Sequence, residues 1–98
     1  MYGNERHRAL AGKMAFISLD EDGKAVYWSP PRSGEWDKDC ETGRNSAVAL
    51  TEYLHKSHDI HIMMPIMSAI GAAGMSEAGV EVGFFSALSE LCVRGLDA

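Results

Sequence analysis

The sequence is poor in the residues that mark several classes of protein. It has two cysteines in 98 residues, Cys40 and Cys92, which is too few for a disulfide framework. No apolar run is long enough to cross a membrane, and residues 1–13 lack the apolar core of a secretory signal. We therefore expect a cytoplasmic protein with both cysteines as thiols, and a single Cys40–Cys92 bridge is the alternative.

Basic residues are also few. Nine Lys and Arg against fourteen Asp and Glu give a net charge of −5, whereas a nucleic-acid-binding domain normally carries a basic face. The apolar fraction of 46% is that of a globular chain and is too high for a disordered one. We predict one acidic domain over residues 1–98, with residues 1–13 as a frayed lead-in.

The clearest pattern lies between Ser76 and Gly95, where apolar residues recur at helical spacing. Ser76 is a suitable N-cap, Arg94 suits a last turn and Gly95 suits a left-handed stop, so we predict a helix over about 77–94. Its apolar stripe, which we expect to be buried, consists of Phe84, Phe85, Leu88, Leu91 and Cys92.

Small residues form a second face of this segment. Gly79, Gly83 and Ala87 are four residues apart, a spacing that lets another helix approach closely. The alternative is a helix that starts later, near Val80, with Gly79 in a turn. In both cases the helix needs a partner surface, either from the rest of the chain or from a second copy.

The N-terminal half predicts a β-hairpin over about residues 14–29. Asp22-Gly23 is a strong turn signal between an alternating segment and the β-branched and aromatic segment after Lys24. In the first strand, alternation places Phe16, Ser18 and Asp20 on one face and Ala15, Ile17 and Leu19 on the other. A hairpin alone is marginal in water, so it must lie against helices or against another copy.

Two further helices are predicted between the hairpin and the closing helix. Apolar and small residues at three- and four-residue steps indicate a helix over about 37–57, although a start at Ser46 is the alternative. Pro65 suits a first turn and Gly74 a stop, so a helix is predicted over about 63–73. The apolar run from Ile60 to Met64 could also be a third strand. The predicted fold class is therefore α+β, with a hairpin packed on two or three helices.

The best candidate binding surface is the loop WSPPRSGEW, which contains Trp28, Arg32 and Trp36. Tryptophan and arginine are enriched where proteins contact each other. The alternative is that both indole rings fold back over the small core. The methionine-rich strip of Met63, Met64, Met67 and Met75 could likewise be a contact surface or part of the core, and its helical spacing favours the core.

A weaker candidate site combines His58 and His61, in the His55–His61 region, with Cys40. Histidine and cysteine bind metals, but the spacing matches no zinc signature. A polar helix end, where histidine interacts favourably with the terminal carbonyls, explains the histidines better.

No catalytic constellation stands above a structural explanation, so we expect a non-enzymatic interaction protein without cofactors. Self-association as a homodimer is expected, because a short hairpin and small-residue helix faces need more buried surface than one chain supplies. The alternatives are a small-molecule- or metal-binding accessory protein that uses the His55–His61 region, and a small enzyme with its site between subunits.

Overall fold

A computed structural model describes residues 14–74 and 78–97 of the chain. Within these ranges a two-stranded antiparallel hairpin precedes three α-helices, which confirms the predicted α+β class. The predictions for residues 1–13, the Ser76 cap and Met75 lie outside the described residues. The elements are β1 (Ser18–Leu19), β2 (Ala25–Val26), α1 (Trp36–Ser57), α2 (Met63–Ala73) and α3 (Gly79–Asp97).

The hairpin turns where the Asp-Gly signal predicts. The carboxylate of Asp20 accepts hydrogen bonds from the backbone N–H groups of Asp22 and Lys24, both at 2.9 Å. Gly23 has a φ of 78°, a left-handed conformation that glycine adopts without steric cost. The turn sets the register in which Ser18 pairs with Val26 and Leu19 with Ala25.

The strands are shorter than predicted, and the alternation predicted for Ala15 to Asp20 is wrong at its start. Ala15 and Phe16 form a turn that is closed by the Ile17 N–H on the Met14 carbonyl at 3.0 Å. Met14, Phe16 and Ile17 are consequently all buried. An isolated two-stranded sheet gains little stability from the hydrogen bonds between its strands. Contact with the helices, and not the alternation of a strand, therefore decides which of these side chains are buried.

Helix α1 runs from Trp36, which confirms the longer of the two predicted helices. Its inward face carries Gly43, Ser46, Ala47 and Leu50. The helix ends at His58, which has a φ of 56° and donates its N–H to the Leu54 carbonyl at 2.8 Å. This left-handed residue stops the helix in the position that glycine usually occupies.

The segment Ile60–Ile62 is a 3₁₀ turn that leads directly into α2, so the third-strand alternative is wrong. Ile62, Ile66 and Ile70 share the buried face. Gly74 ends α2 with a φ of 64°, as predicted. Ile62, Ile66 and Ile70 are four residues apart, a spacing that suits a helix and not a strand, and it already begins at Ile62 before α2.

Helices α1 and α3 pack at unusually close range through glycine. A Cβ atom on Gly43 would lie 1.9 Å from the carbonyl oxygen of Val80, and one on Gly83 would lie 2.1 Å from that of Cys40. Gly79 approaches Trp36 and Asp39 in the same way, which confirms the predicted close packing. The helix begins at Gly79, between the two predicted starts. Because these contacts advance in the same direction along both helices, α1 and α3 run parallel.

The core lies where the hairpin covers this helix pair. The ring centroids of Trp28 and Phe84 are 4.8 Å apart, and those of Phe16 and Trp28 are 5.3 Å apart. The predicted apolar stripe of α3 reaches the core only as far as Leu88, and Cys92 is exposed, so its predicted burial is wrong. The helix also continues past Gly95 to Asp97. Periodicity gives a direction around a helix but does not give the point at which its partner surface ends.

Candidate functional site

A buried carboxylate joins the loop after the hairpin to α3. Glu81 lies in the first turn of α3, and its side chain has no solvent exposure. Its Oε1 accepts from one Arg32 guanidinium nitrogen at 2.8 Å, and its Oε2 accepts from the other at 2.5 Å. Trp28 Nε1 donates to the same Oε2 at 2.7 Å. Both oxygens of the carboxylate are therefore satisfied by side chains that the loop supplies.

The balance of burial and hydrogen bonding keeps this pair charged. Burial acts to raise the pKa of Glu81, but the hydrogen bonds from Arg32 and Trp28 outweigh it, so the pKa lies below the ordinary value. The hydrogen bond to Glu81 raises the pKa of Arg32 in turn. A carboxylate with a lowered pKa whose two oxygens are both engaged by donors is a poor general base.

A second carboxylate holds the same loop against α1. Asp39 Oδ1 accepts from the Ser33 backbone N–H at 2.8 Å and from the Ser33 hydroxyl at 2.9 Å. Its Oδ2 accepts from the N–H of Gly34 at 3.2 Å. The Ser33 N–H is the main reason that the pKa of Asp39 is lowered. Glu81 and Asp39 thus fix residues 28–34 from two helices.

The predicted binding residues occupy different environments. Trp28 is 6% exposed and belongs to the core, so for this ring the alternative interpretation holds. The Arg32 side chain is 29% exposed and is paired with Glu81. Trp36 is 56% exposed at the start of α1. The prediction that these residues bind a partner stays a prediction, and Trp36 offers the accessible surface for it.

Sequence reasoning missed Glu81, although a signal was present. Glu81 precedes Phe84 by three residues and Phe85 by four, so it lies on the apolar stripe of α3. An acid on such a stripe needs a buried donor, and Arg32 after the two prolines is a cation without an acidic neighbour within two residues. The spacing marks Glu81 as inward-facing but does not identify its partner across 49 residues.

The structure does not bring His58, His61 and Cys40 together. Cys40 is half-buried near the start of α1, whereas both histidines are exposed beyond its other end. At the helical rise per residue, Cys40 and His58 are separated by roughly 27 Å. Within residues 14–74 and 78–97, no group of three His, Cys, Asp or Glu side chains could hold a metal ion. Cys40 and Cys92 are both free thiols.

An uncharged surface runs along the outside of α2. From Ile60 to Gly74 the sequence has no Asp, Glu, Lys or Arg. Ile60 is 71% exposed and Met64 is 73% exposed, while Met63 and Met67 pack against the core as the helical spacing favours. We call the exposed side of this helix and of the 3₁₀ turn before it the outer face of α2; it includes Ile60, His61, Met64, Ser68, Gly71 and Ala72.

A cavity of about 590 Å³ lies beside the C-terminal half of α1. Its walls combine apolar groups with one acid and one base. The lining residues are Met14, Ala49, Glu52, Tyr53, Lys56 and Ser57.

No family model, curated protein or solved structure matches this chain. In the part of the chain that the structure describes, no helix combines the length and the apolar character that a membrane span requires.

Proposed function

We propose that this chain is a small non-enzymatic interaction protein that associates with itself. The observation that carries the proposal is the outer face of α2, where Ile60 and Met64 are exposed on a segment whose one ionisable side chain is His61. A helix on the surface of a monomer normally carries charged residues on its outer side. Exposed apolar patches of this kind are typical of contact surfaces.

Two buried carboxylates, Glu81 and Asp39, support a binding protein rather than an enzyme. Glu81 and Asp39 are engaged by donors that hold the loop in place, and the pKa of each is lowered. Catalytic acids and bases usually have a pKa that is moved toward the working pH. These two groups are moved in the opposite direction, which suits structural roles.

Trp36 is proposed as an additional contact residue. Its exposed ring lies at the start of α1, and its inner edge packs beside Gly79. Tryptophan contributes large binding energies because a rigid, amphipathic ring buries much surface at small entropic cost. Arg32 is available at the same end of the molecule through the exposed part of its side chain.

The test is the solution mass, measured by size exclusion with light scattering from low micromolar to near-millimolar concentration. The chain weighs 10.7 kDa, so self-association predicts a mass that rises from this value toward twice as much. A constant monomer mass over the whole range would overturn the proposal. Because the fraction of dimer rises with protein concentration, the measurement must include the highest concentration at which the protein stays in solution.

A small-molecule-binding accessory protein is the second candidate, and the cavity beside α1 favours it. Its volume of about 590 Å³ lies within the range of ordinary ligand sites, and it adjoins the predicted His55–His61 region. Lys56 beside apolar walls suits an aliphatic carboxylate, so hexanoate is a suitable probe. Shifts of the backbone amide NMR signals of Glu52 and Lys56 that saturate would support this candidate. Unchanged signals at millimolar hexanoate would reject it, and an unchanged melting temperature with zinc would reject its metal-binding form.

A further inference from the structure

We infer that residues 32–34 form an acid-sensitive strap, which opens as one unit about Gly34 while the three α-helices stay folded. We call this segment, from Arg32 to Gly34, the strap. The inference does not depend on the proposed self-association, because every contact that carries it lies within one chain. A constant monomer mass would overturn self-association and leave the strap unaffected.

The strap is attached to the helices through two carboxylates. Within the described residues, its hydrogen bonds to α1 and α3 all end on Glu81 or Asp39: Arg32 donates to Glu81, whereas Ser33 and Gly34 donate to Asp39. Hydrogen bonds to an ionised acceptor are roughly twice as strong as those between neutral groups. The negative charge of the two carboxylates therefore supplies much of the strength of this attachment.

The two sides of the strap differ in stiffness. On its N-terminal side lie Pro30 and Pro31, whose rings fix φ, and the buried Trp28 anchors the chain just before them. On the other side Gly34 has a φ of 84°, and a Cβ atom there would meet nothing within 4 Å. Neighbouring atoms do not hinder rotation at Gly34, so this residue can act as the hinge while Trp28 stays in the core.

Arg32 is the cation that both carboxylates share. It pairs directly with Glu81. Its charge also contributes to the lowered pKa of Asp39, after the larger effect of the Ser33 backbone N–H. The other charged side chains at this end of α1 are exposed: Glu35, Asp37 and Lys38. Protonation of either carboxyl group therefore weakens the hold on the same arginine.

Acid should open the strap before it unfolds the helices. The folded-state pKa of each carboxyl lies below its ordinary value, so the closed strap is favoured at neutral pH and loses its hold as the pH falls below 4.5 for Glu81 and 3.8 for Asp39. A neutral carboxyl group costs far less to bury than a charged one, so protonated Glu81 can stay inside. The buried cluster between the helices, which includes Leu50 and Phe84, is apolar and does not titrate.

Opening changes one end of the molecule. It releases the Arg32 guanidinium to solvent beside the start of α1, where Trp36 is exposed. Both residues are proposed contact residues, so acid alters that surface without altering the helices.

The first test is amide hydrogen exchange of the full chain at neutral pH, measured by NMR. The Ser33 N–H bonds to Asp39, and the Leu50 N–H lies within α1. We expect the Ser33 N–H to be protected about a hundredfold less than that of Leu50, because opening of the strap does not require unfolding. Equal protection would show that the segment opens only with the whole molecule, which overturns the inference.

The second test asks whether the strap opens as one unit. Glu81→Gln should lower the protection of the Ser33 N–H about tenfold, although Ser33 bonds to Asp39 and not to Glu81, because a loosened Arg32 frees the rest of the strap. The control is Glu90→Gln, which removes a carboxylate from an exposed arginine pair and should change that protection by less than about twofold. Unchanged Ser33 protection in folded Glu81→Gln would overturn the single unit.

The third test needs no substitution. As the pH falls from about 6.5 to about 2.5, the Ser33 N–H should lose its protection in the unchanged protein. Over the same range the Leu50 N–H should stay protected by about tenfold or more, with constant far-UV circular dichroism. Ser33 protection that persists at the lowest pH overturns the inference, and so does a loss of helical signal that coincides with the loss of Ser33 protection.

Discussion

At the scale of single residues, Glu81 connects the N-terminal half of the chain to α3. A fully buried carboxylate is costly unless donors satisfy it, and here Arg32 and Trp28 provide three hydrogen bonds. Both donors come from the loop after the hairpin, so the conformation of that loop and the charge state of Glu81 depend on each other. Replacing the pair by apolar residues need not destabilise the protein, whereas removing one partner leaves the other uncompensated.

We expect Glu81→Gln to lower the free energy of unfolding by about 2–4 kcal/mol, because a neutral amide cannot pair with Arg32 and presents an N–H₂ where an acceptor is needed. Glu90→Gln is the matched control. Glu90 also pairs with an arginine, Arg94, at 2.7 Å, but both side chains are substantially exposed. That change should cost less than about 0.5 kcal/mol. Urea denaturation measures both values, and similar losses would contradict the structural role of Glu81.

The lowered pKa values of Glu81 and Asp39 predict how stability depends on pH. A carboxyl group whose folded-state pKa lies below its unfolded value stabilises the protein above the unfolded value and loses this contribution as pH falls. The unfolded references are 4.5 for Glu81 and 3.8 for Asp39. The free energy of unfolding should therefore begin to fall near pH 4.5 and decrease further below it. Urea midpoints at falling pH measure this, and Glu81→Gln should flatten the dependence. An equally steep dependence in that variant would show that other groups cause it.

At the scale of elements, the contact between α1 and α3 depends on glycine at positions where backbones nearly touch. Gly43 and Gly83 contribute no side chain, and each faces a carbonyl group of the other helix. Glycine inside a helix costs roughly 1 kcal/mol relative to alanine. The close contact between the helices must therefore offset this cost at both Gly43 and Gly83. The four-residue spacing in α3 was sufficient to predict a close approach. It could not name α1 as the partner, since any helix surface satisfies the same pattern.

We expect Gly83→Ala to destabilise the protein by about 3 kcal/mol or more, because the new methyl group would lie 2.1 Å from the Cys40 carbonyl oxygen and only a shift of the helices relieves it. Gly71→Ala is the control, with open space around the new methyl group. It should be neutral or stabilise α2 by up to about 1 kcal/mol. Thermal and urea unfolding at low protein concentration measure both. Tolerance of Gly83→Ala would show that the helices can separate at little cost.

At the scale of the whole molecule, one core joins the three helices to the segments on either side of the hairpin strands. Trp28 contacts Phe16 from the first part of the hairpin and Phe84 from α3, and donates to Glu81. Trp36 lies eight residues further along the chain and contacts the same helix only at its edge. The same residue type thus serves the interior at one position and the surface at the other.

We expect Trp28→Ala to cost about 3–5 kcal/mol, which is a large part of the roughly 5–15 kcal/mol that stabilises a domain. Trp36→Ala should cost less than about 1 kcal/mol and should weaken self-association if its ring contributes to the contact. Unfolding curves and light scattering on both variants distinguish the roles. Loss of the fold in Trp36→Ala would show that this ring is structural as well.

The elements could largely be predicted, whereas the candidate contacts could not. Turn chemistry at Asp22-Gly23, the stop at Gly74 and the helical periodicity of α1 and α2 are local signals, and the structure follows them. Cys92 was misplaced because the apolar stripe continues beyond the point where α3 loses its contact with the core. The roles of Trp28 and Trp36 depend on distant neighbours and not on their own flanking residues.

The sequence by itself determined the α+β class, the order of the elements and the inward side of each helix, because backbone propensity and hydrophobic period act over a few residues. Only the tertiary structure decided that Glu81 pairs with Arg32, that Gly43 faces Val80 and that Met64 is left outside. These outcomes depend on which surfaces meet across long separations in the chain. Burial and pairing are properties of the assembled molecule, and local spacing carries no information about the group on the opposite side.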